Sequence, residues 1–226
     1  MVGKLTFQNF VETKEQKVKY PRTFHFPWSP GTTSDDRILK SFEHFLGRPV
    51  VVTEKMDGEN TTMYSNHIHA RSLDSAHHPS RTIVKQLHGQ IKHEIPEGWR
   101  VCGENLYAKH SIAYDQLPAY FLVFSIWTDK NVCLSWSDTK EWCSLLGLHT
   151  VPELYVGLFS EDTIRSMFSG TSKFGGEQEG YVVRTVEGFP YSEFATHVAK
   201  YVRKNHVQTS EFWMTQPVVP NRLSKT

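Results

Sequence analysis

Only three cysteines occur in the 226 residues, Cys102, Cys133 and Cys143, and no two form a Cys-x-x-Cys pair. An odd number of thiols set this far apart argues against a disulfide framework and a zinc knuckle, and for a reducing compartment. No apolar run approaches the roughly 18 residues of a membrane span. The opening MVGKLTFQNF also lacks the apolar stretch of a signal peptide. A soluble cytoplasmic or nuclear protein, not secreted and with no membrane partner, is the expectation. Charge of one sign is missing too: 25 Lys and Arg against 24 Asp and Glu leave +1 with histidine neutral. Without a global basic field, nucleic acid could be held only through a local patch. The twelve histidines would add positive charge under mild acid. Repeats and low-complexity stretches are absent. With 38% hydrophobic and 22% charged residues, the chain suits one large globular domain or two small ones with a sizeable core.

Residues 20–34 hold Pro21, Pro27, Pro30, Gly31 and several aromatics, which predicts an irregular, packed connection. Thr33 and Asp36 are placed as a capping box, so a helix is expected from there, with Ile38, Leu39, Phe42, Phe45 and Leu46 as its apolar face and Gly47 as its end. Pro49 to Thr53 is short, apolar and β-branched, as in a buried strand. Two strands, Thr61 to Tyr64 and Ile68 to Ser72, join at Ser65-Asn66. Further strands are expected at 99–104, 119–127, 180–186 and 197–203. Helical spacing marks 82–94, 137–146 and 161–169. Strands that do not strictly alternate with helices predict an α+β fold built on antiparallel sheets. The last fifteen residues, with Pro217 and Pro220, read as a packed or frayed tail.

The sharpest local signal is Glu54-Lys55-Met56-Asp57-Gly58, directly after the apolar run. A lysine at a strand end before Asp-Gly sits on a tight turn at a sheet rim and can point into a cleft. Its neutral amine is a good nucleophile, but an unperturbed pKa near 10.4 leaves on the order of one molecule in a thousand neutral at pH 7. Burial and nearby cations are expected to lower it. By itself the match also fits an ordinary surface turn. His67 and His69 share one strand face and His77 and His78 are adjacent, yet no Cys partner or His-Glu-x-x-His pattern makes them a zinc site.

Glu54 to Gly58 resembles motif I of the covalent nucleotidyltransferases, the superfamily of DNA ligases, RNA ligases and capping enzymes. Five more segments follow in that superfamily's order: Arg71-Ser72 (motif Ia), Gly103-Glu104-Asn105-Leu106 (III), Phe121 to Trp127 (IIIa), Glu179 to Arg184 (IV) and Lys200 to Lys204 (V). The run GENLYAKHSIAY at 103–114 and Asn60, five residues after the lysine, point to the ATP-dependent RNA ligase branch. The resemblance implies a ligase-type nucleotidyltransferase fold whose antiparallel sheets, flanked by helices, form a nucleotide cleft. It further implies that Lys55 takes AMP from ATP as a phosphoramidate, and that AMP passes to an RNA 5′-phosphate, which a 3′-hydroxyl then attacks.

The same resemblance implies a role for each residue. Glu54 belongs to the nucleotide pocket. Asp57 and Asn60 order the motif I turn and its polar contacts. Arg71 binds a phosphate or the 3′ side of the acceptor strand. Glu104 meets the ribose hydroxyls and Phe124 stacks on adenine. Glu179 helps hold Mg²⁺ or Mn²⁺, and Lys200 neutralises the α-phosphate. His110 would touch nucleotide or RNA. Each residue also has a plain reading: a core phenylalanine, a solvated carboxylate, a surface ion pair or a basic face. One departure stands out, since many RNA ligases carry a second motif V lysine where this chain has Val202; Lys204, or a lysine from elsewhere, would supply that charge. About 20 residues follow Lys204, too few for an OB-fold domain. The expectation is therefore one nucleotidyltransferase domain over 1–226, acting as a monomer, with RNA docked on Arg81, Lys85, Lys92, the 200–204 cluster and Trp and Tyr rings. The alternatives are a DNA ligase, a capping-type guanylyltransferase or a non-catalytic nucleic-acid-binding module.

Overall fold

The computed structural model describes residues 17–204 and 217–225; the expectations drawn on the first ten residues and on 212–216 lie outside these. In chain order the strands are β1 (Phe24–His25), β2 (Pro49–Lys55), β3 (Glu59–Met63), β4 (Ile68–Ala70), β5 (Arg100–Asn105), β6 (Phe121–Trp127), β7 (Val132–Cys133), β8 (His149–Thr150), β9 (Glu153–Leu158), β10 (Gly180–Thr185), β11 (Phe189–Pro190) and β12 (Val198–Val202). The α-helices are α1 (Thr82–Ile91), α2 (Trp136–Leu145), α3 (Glu161–Arg165) and α4 (Phe194–His197). The strands make two sheets, ordered β1-β12-β10-β2-β9 and β11-β7-β6-β5-β3-β4, with β8 added beside β6. Pairing is antiparallel except for β1 with β12 and β6 with β8. The mixed architecture with antiparallel sheets agrees with the α+β expectation.

The central strands are continuous apolar runs because both of their faces are covered. In β2, Val50, Val51 and Val52 are wholly buried. Val50 and Val52 pack with Phe26, Phe45, Phe159, Tyr181 and Val183 on one face of the five-stranded sheet. Val51 points the other way, into a cluster with Met56, Leu122, Trp136 and Val151. The remote face of the seven-stranded sheet is covered by Val84 and Ile91 of α1 and Cys143 of α2, packed on Val101, Val123 and Ile126. Burial of this kind contributes roughly 25 cal/mol per Å² of apolar surface. Gly147 and Gly170, expected after α2 and α3, take positive φ of 65° and 82°, a conformation that costs glycine nothing.

The helix expected after Thr33 is not formed. The predicted contact exists, since Thr33 N and Oγ1 both donate to Asp36 Oδ2 at 3.0 Å, but it closes a turn instead of opening a helix. The chain then bridges back at Ile38 to His25, and only a short 3-10 turn, Glu43–Phe45, follows. Leu39 and Phe45 are buried and Phe42 packs beside them, while Ile38 and Leu46 are exposed, so the apolar residues anchor an irregular connection to the core.

Over 217–225 the tail is largely exposed but hydrogen-bonded along its backbone to residues 107–117, with Asn221 buried. Asn221 Nδ2 donates to Leu106 O at 2.8 Å and Asn221 Oδ1 accepts from Tyr114 N at 2.9 Å, which ties the tail to the 106–114 segment. Asn221→Ala leaves these buried groups without partners and should lower the unfolding free energy by about 2 kcal/mol, measured by urea denaturation. A change within a few tenths of that unit would show that the tail does not clamp this segment.

Candidate active site

Strand β2 ends at Lys55, and the next three residues carry the chain from the five-stranded sheet to the seven-stranded one. This crossing is pinned by Asp57. Its Oδ2 accepts from Ser111 N and Oγ at 2.8 Å and from Ile112 N at 2.7 Å, while Asp57 N donates to the Tyr114 hydroxyl at 2.9 Å. Gly58 passes so close to β5 that an added Cβ would sit 2.5 Å from Asn105 O, and its N–H donates to Glu104 Oε1 at 3.1 Å. Lys55 stands opposite Gly180 in the β2–β10 register. Opposed residues of an antiparallel pair share a face, so the glycine leaves the lysine room. Glu179, one residue before β10 and 1% exposed, meets it: Lys55 Nζ lies 2.5 Å from Glu179 Oε1.

A cavity of about 560 Å³ opens between the sheets at this point. The five-stranded sheet contributes Glu54, Lys55, Val182 and Lys200 to its wall, and the seven-stranded sheet contributes Asn60, Glu104 and Phe124. Arg71 enters just after β4, placed by its N–H bond to Asn60 O at 2.9 Å. Seven of the eight expected nucleotide-site residues therefore line one cavity, and Glu179 lies behind Lys55. Three buried polar atoms of the lining have no protein partner: Glu54 Oε1, Asn60 Oδ1 and Arg184 Nη1. Two acceptors and one donor left unmet in a cavity lined by both polar and apolar side chains suit a polar ring or sugar.

The charges are arranged in two groups. Burial alone would lower the Lys55 pKa, but Glu179, Glu104 and Asp57 outweigh it and hold the pKa above the ordinary lysine value. The expectation of a lysine kept neutral by cations is corrected here: its nearest partners are carboxylates. Lys200 has the depressed value instead, pushed down to about 8 by burial and by Lys55 and Arg71, with Asp36 and Glu179 opposing. Burial pushes the Glu104 carboxyl up to about 8, Glu179 and Asp57 adding to the rise and Lys55 opposing it.

Other expected residues fall elsewhere. Arg81 is spent on Glu59, to which its Nε donates at 2.7 Å, and its Nη1 donates to Ala76 O; at 9% exposure it is not available to RNA. Lys85 is exposed on α1. Lys204 is exposed beyond β12 and does not line the cavity, and Arg203 pairs with Glu177 at 2.7 Å. His110 is not part of the lining; burial lowers its pKa against the pull of Asp57, Glu59 and Glu179. No group of three or more His, Cys, Asp or Glu side chains among the described residues is placed to hold a metal ion, the His67–His69 pair included.

Sequence reasoning missed the wall given by Tyr20, Arg22, Asp36 and neighbouring residues of the N-terminal segment. Tyr20 touches Phe124 edge to face with ring centroids 5.0 Å apart, too close for a base to enter between them. Nothing in the spacing of residues 20–36 announces this; only the matching register of β1 and β12 brings the segment here.

A family model described as RNA ligase matches residues 48–202. No curated protein matches the chain. Among solved structures, the RNA ligase of Naegleria gruberi is similar in several forms. A variant with ATP and manganese gives 18% identity over 72% of this chain and 52% of that one, with a TM-score of 0.52. A form with pyrophosphate gives 17% identity over 88% and 62%, with a TM-score of 0.55. At this identity the likeness is one of fold, and the chain spans little more than half the length of the ligases it matches.

The pairing at Lys55 has a direct test. Glu179→Gln removes the nearest negative charge and should lower the pH midpoint of Lys55 by about 1 to 3 pH units. The rate of amine-specific labelling, followed by peptide mass spectrometry as pH is varied, reads the midpoint. An unmoved midpoint would mean that another group holds the ammonium.

Proposed function

The chain belongs to the RNA ligase family, and from that premise we propose that it is an ATP-dependent RNA ligase acting through a covalent lysyl-AMP. The observation that carries this reading is the convergence of Lys55, Glu104, Phe124 and Lys200, from four strands of two sheets, on one cavity with Glu179 behind it. The residues between 17 and 204 are read as one nucleotidyltransferase domain with its nucleotide cleft between the sheets. The Naegleria ligase, solved with ATP and manganese, supports the same nucleotide and a divalent cation here.

In the proposed reaction Phe124 stacks on the adenine with one ring face, and the open acceptors Glu54 Oε1 and Asn60 Oδ1 receive N–H or O–H donors of the nucleoside. Glu104, with its raised pKa, both donates to and accepts from the ribose hydroxyls near neutral pH. Lys55, held as an ammonium, first gives a proton to Glu179 Oε1, 2.5 Å away. The neutral Nζ then attacks the α-phosphorus, a P–N bond forms as the bond to the pyrophosphate oxygen breaks, and the second amine proton leaves with the pyrophosphate or to solvent. Lys200 and Arg71 carry positive charge on the phosphate side, where negative charge builds up during transfer. No cluster of three or more acidic, His or Cys side chains stands here among the described residues, so a divalent cation would be held mainly by phosphate oxygens, with Glu179 beside Lys55 as a protein carboxylate that could join it. Magnesium or manganese bound in this way would neutralise phosphate charge. An RNA 5′-phosphate oxygen then takes the AMP, breaking the P–N bond, and a 3′-hydroxyl attacks the activated end to seal the strand and release AMP. Once held in place, both steps need positioning more than further protein chemistry.

Intact-protein mass spectrometry after ATP and Mg²⁺ should show an AMP-sized gain on the native protein and none on Lys55→Ala. Lys200→Ala should adenylate on the order of 10²–10³-fold more slowly, as expected for loss of one transition-state charge contact. A gain from GTP but not ATP would point to a capping-type activity, and sealing of nicked DNA but not RNA to a DNA ligase. No covalent gain with either nucleotide would sink the reading.

A further inference from the structure

We infer that Asp36 is a positioning residue for Lys200: the N-terminal segment brings its carboxylate into the cavity and holds the lysine's ammonium on the phosphate side. Residue 36 lies outside the stretch matched by the family model, residues 48–202. Its place follows from backbone pairing. Strand β1 runs parallel to β12 with His25 in register with Lys200, and Phe26 N donates to Lys200 O at 2.8 Å. The chain then loops out and returns against the same strand, where His25 N donates to Arg37 O at 2.7 Å and Leu39 N to His25 O at 2.8 Å. Inside that loop Thr33 fixes one carboxylate oxygen of Asp36 with two bonds at 3.0 Å. The other oxygen, Oδ1, is thereby aimed inward, 3.7 Å from Lys200 Nζ and 3.3 Å from His25 Nε2.

The charges around Lys200 show why such a carboxylate is needed. Lys55 faces it from β2 and Arg71 from the end of β4, and both are cations; Glu179 faces it from the start of β10 but lies 2.5 Å from Lys55. His25, wholly buried, has its pKa lowered to about 4 by burial and by Lys200, so it adds no charge near neutral pH. Asp36 is the carboxylate that forms an ion pair with Lys200 among the described residues. Both side chains are 13% exposed, so solvent screens the pair only partly. A separation of 3.7 Å is also longer than a hydrogen bond. Asp36 therefore compensates the charge without occupying the N–H donors, which stay available to a phosphate.

The inference rests on the ligase reading only for the step that Lys200 serves, and the test separates the two. Asp36→Asn keeps the turn, because the amide oxygen can still accept from Thr33, and removes only the charge. In protein with ¹³C-labelled lysine Cε, the Lys200 signal, assigned with Lys200→Arg, should titrate about one pH unit lower in Asp36→Asn than in the native protein. Thr33→Ala loosens the turn but keeps the carboxylate, so it should leave most of that midpoint in place. Single-turnover adenylation of Asp36→Asn should be about fivefold slower at pH 8, with its alkaline limb moved down by the same interval, and Asp36→Glu should recover part of the rate. An unmoved Lys200 midpoint would overturn the pairing. A moved midpoint with unchanged adenylation would overturn the positioning role. If the native protein takes no AMP at all, the ligase reading fails while the titration still decides the pairing.

Discussion

The arrangement depends on one short crossing, Met56 to Gly58, where the chain leaves one sheet for the other. Two sheets can share a cavity with fixed dimensions only if their relative position is set close to it. The Asp57 carboxylate does this through three hydrogen bonds to Ser111 and Ile112, and the Tyr114 hydroxyl closes the turn from the other side. Charge-assisted bonds to backbone N–H groups are among the stronger ones. Asp57 is 7% exposed, so they are poorly replaced by water. The 106–114 segment that supplies these partners is itself held by Asn221. Lys55 thus stands on a rigid edge, with its reach determined before any ligand arrives.

Charge in the cavity is balanced unevenly. Carboxylates surround Lys55 and raise its pKa, whereas Lys200 lies beside like charges and has its pKa lowered. A negatively charged ligand entering between them relieves the repulsion among Lys55, Lys200 and Arg71, so the ligand-free protein stores part of the attraction for such a ligand as unfavourable self-interaction. The open oxygens of Glu54 and Asn60 act in the same sense for a polar ring or sugar, because their desolvation has already been met. These features favour an anionic ligand with a polar head, independent of any resemblance.

Much of the strand framework was readable from residues. Pro49 to Thr53, 119–127 and 180–186 are dense in β-branched and aromatic side chains because both faces of their strands are covered, and density survives without alternation. The edge strand β9 escaped notice because Val156 and Leu158 are exposed there and its pattern is mixed. The helix expected after Thr33 failed for a different reason. Leu39, Phe42 and Phe45 have helical spacing, but they are spent on packing against Trp28 and Phe159 from an irregular chain. A period of apolar residues reports which side chains are buried, and only indirectly the backbone that buries them. The ion pair at the site was beyond such reading: Lys55 and Glu179 are 124 residues apart, and the β2–β10 register makes them neighbours.

The division of labour inside the cavity follows from this. Groups able to react or bind a nucleotide come from the strands that match the family, while residues 20–36 supply a wall the family model does not reach. That wall carries Asp36 against Lys200 and Tyr20 against Phe124. With the two rings 5.0 Å apart and steeply inclined, a base does not fit between Tyr20 and Phe124. The space beside Phe124 and the charge at Lys200 are therefore both shaped by a segment that pairs with β12 through β1 and is tied to it again by Gly31 N to Val202 O at 2.9 Å. A shift of that segment along β12 would act on Tyr20 and Asp36 together, because the same stretch of backbone carries both.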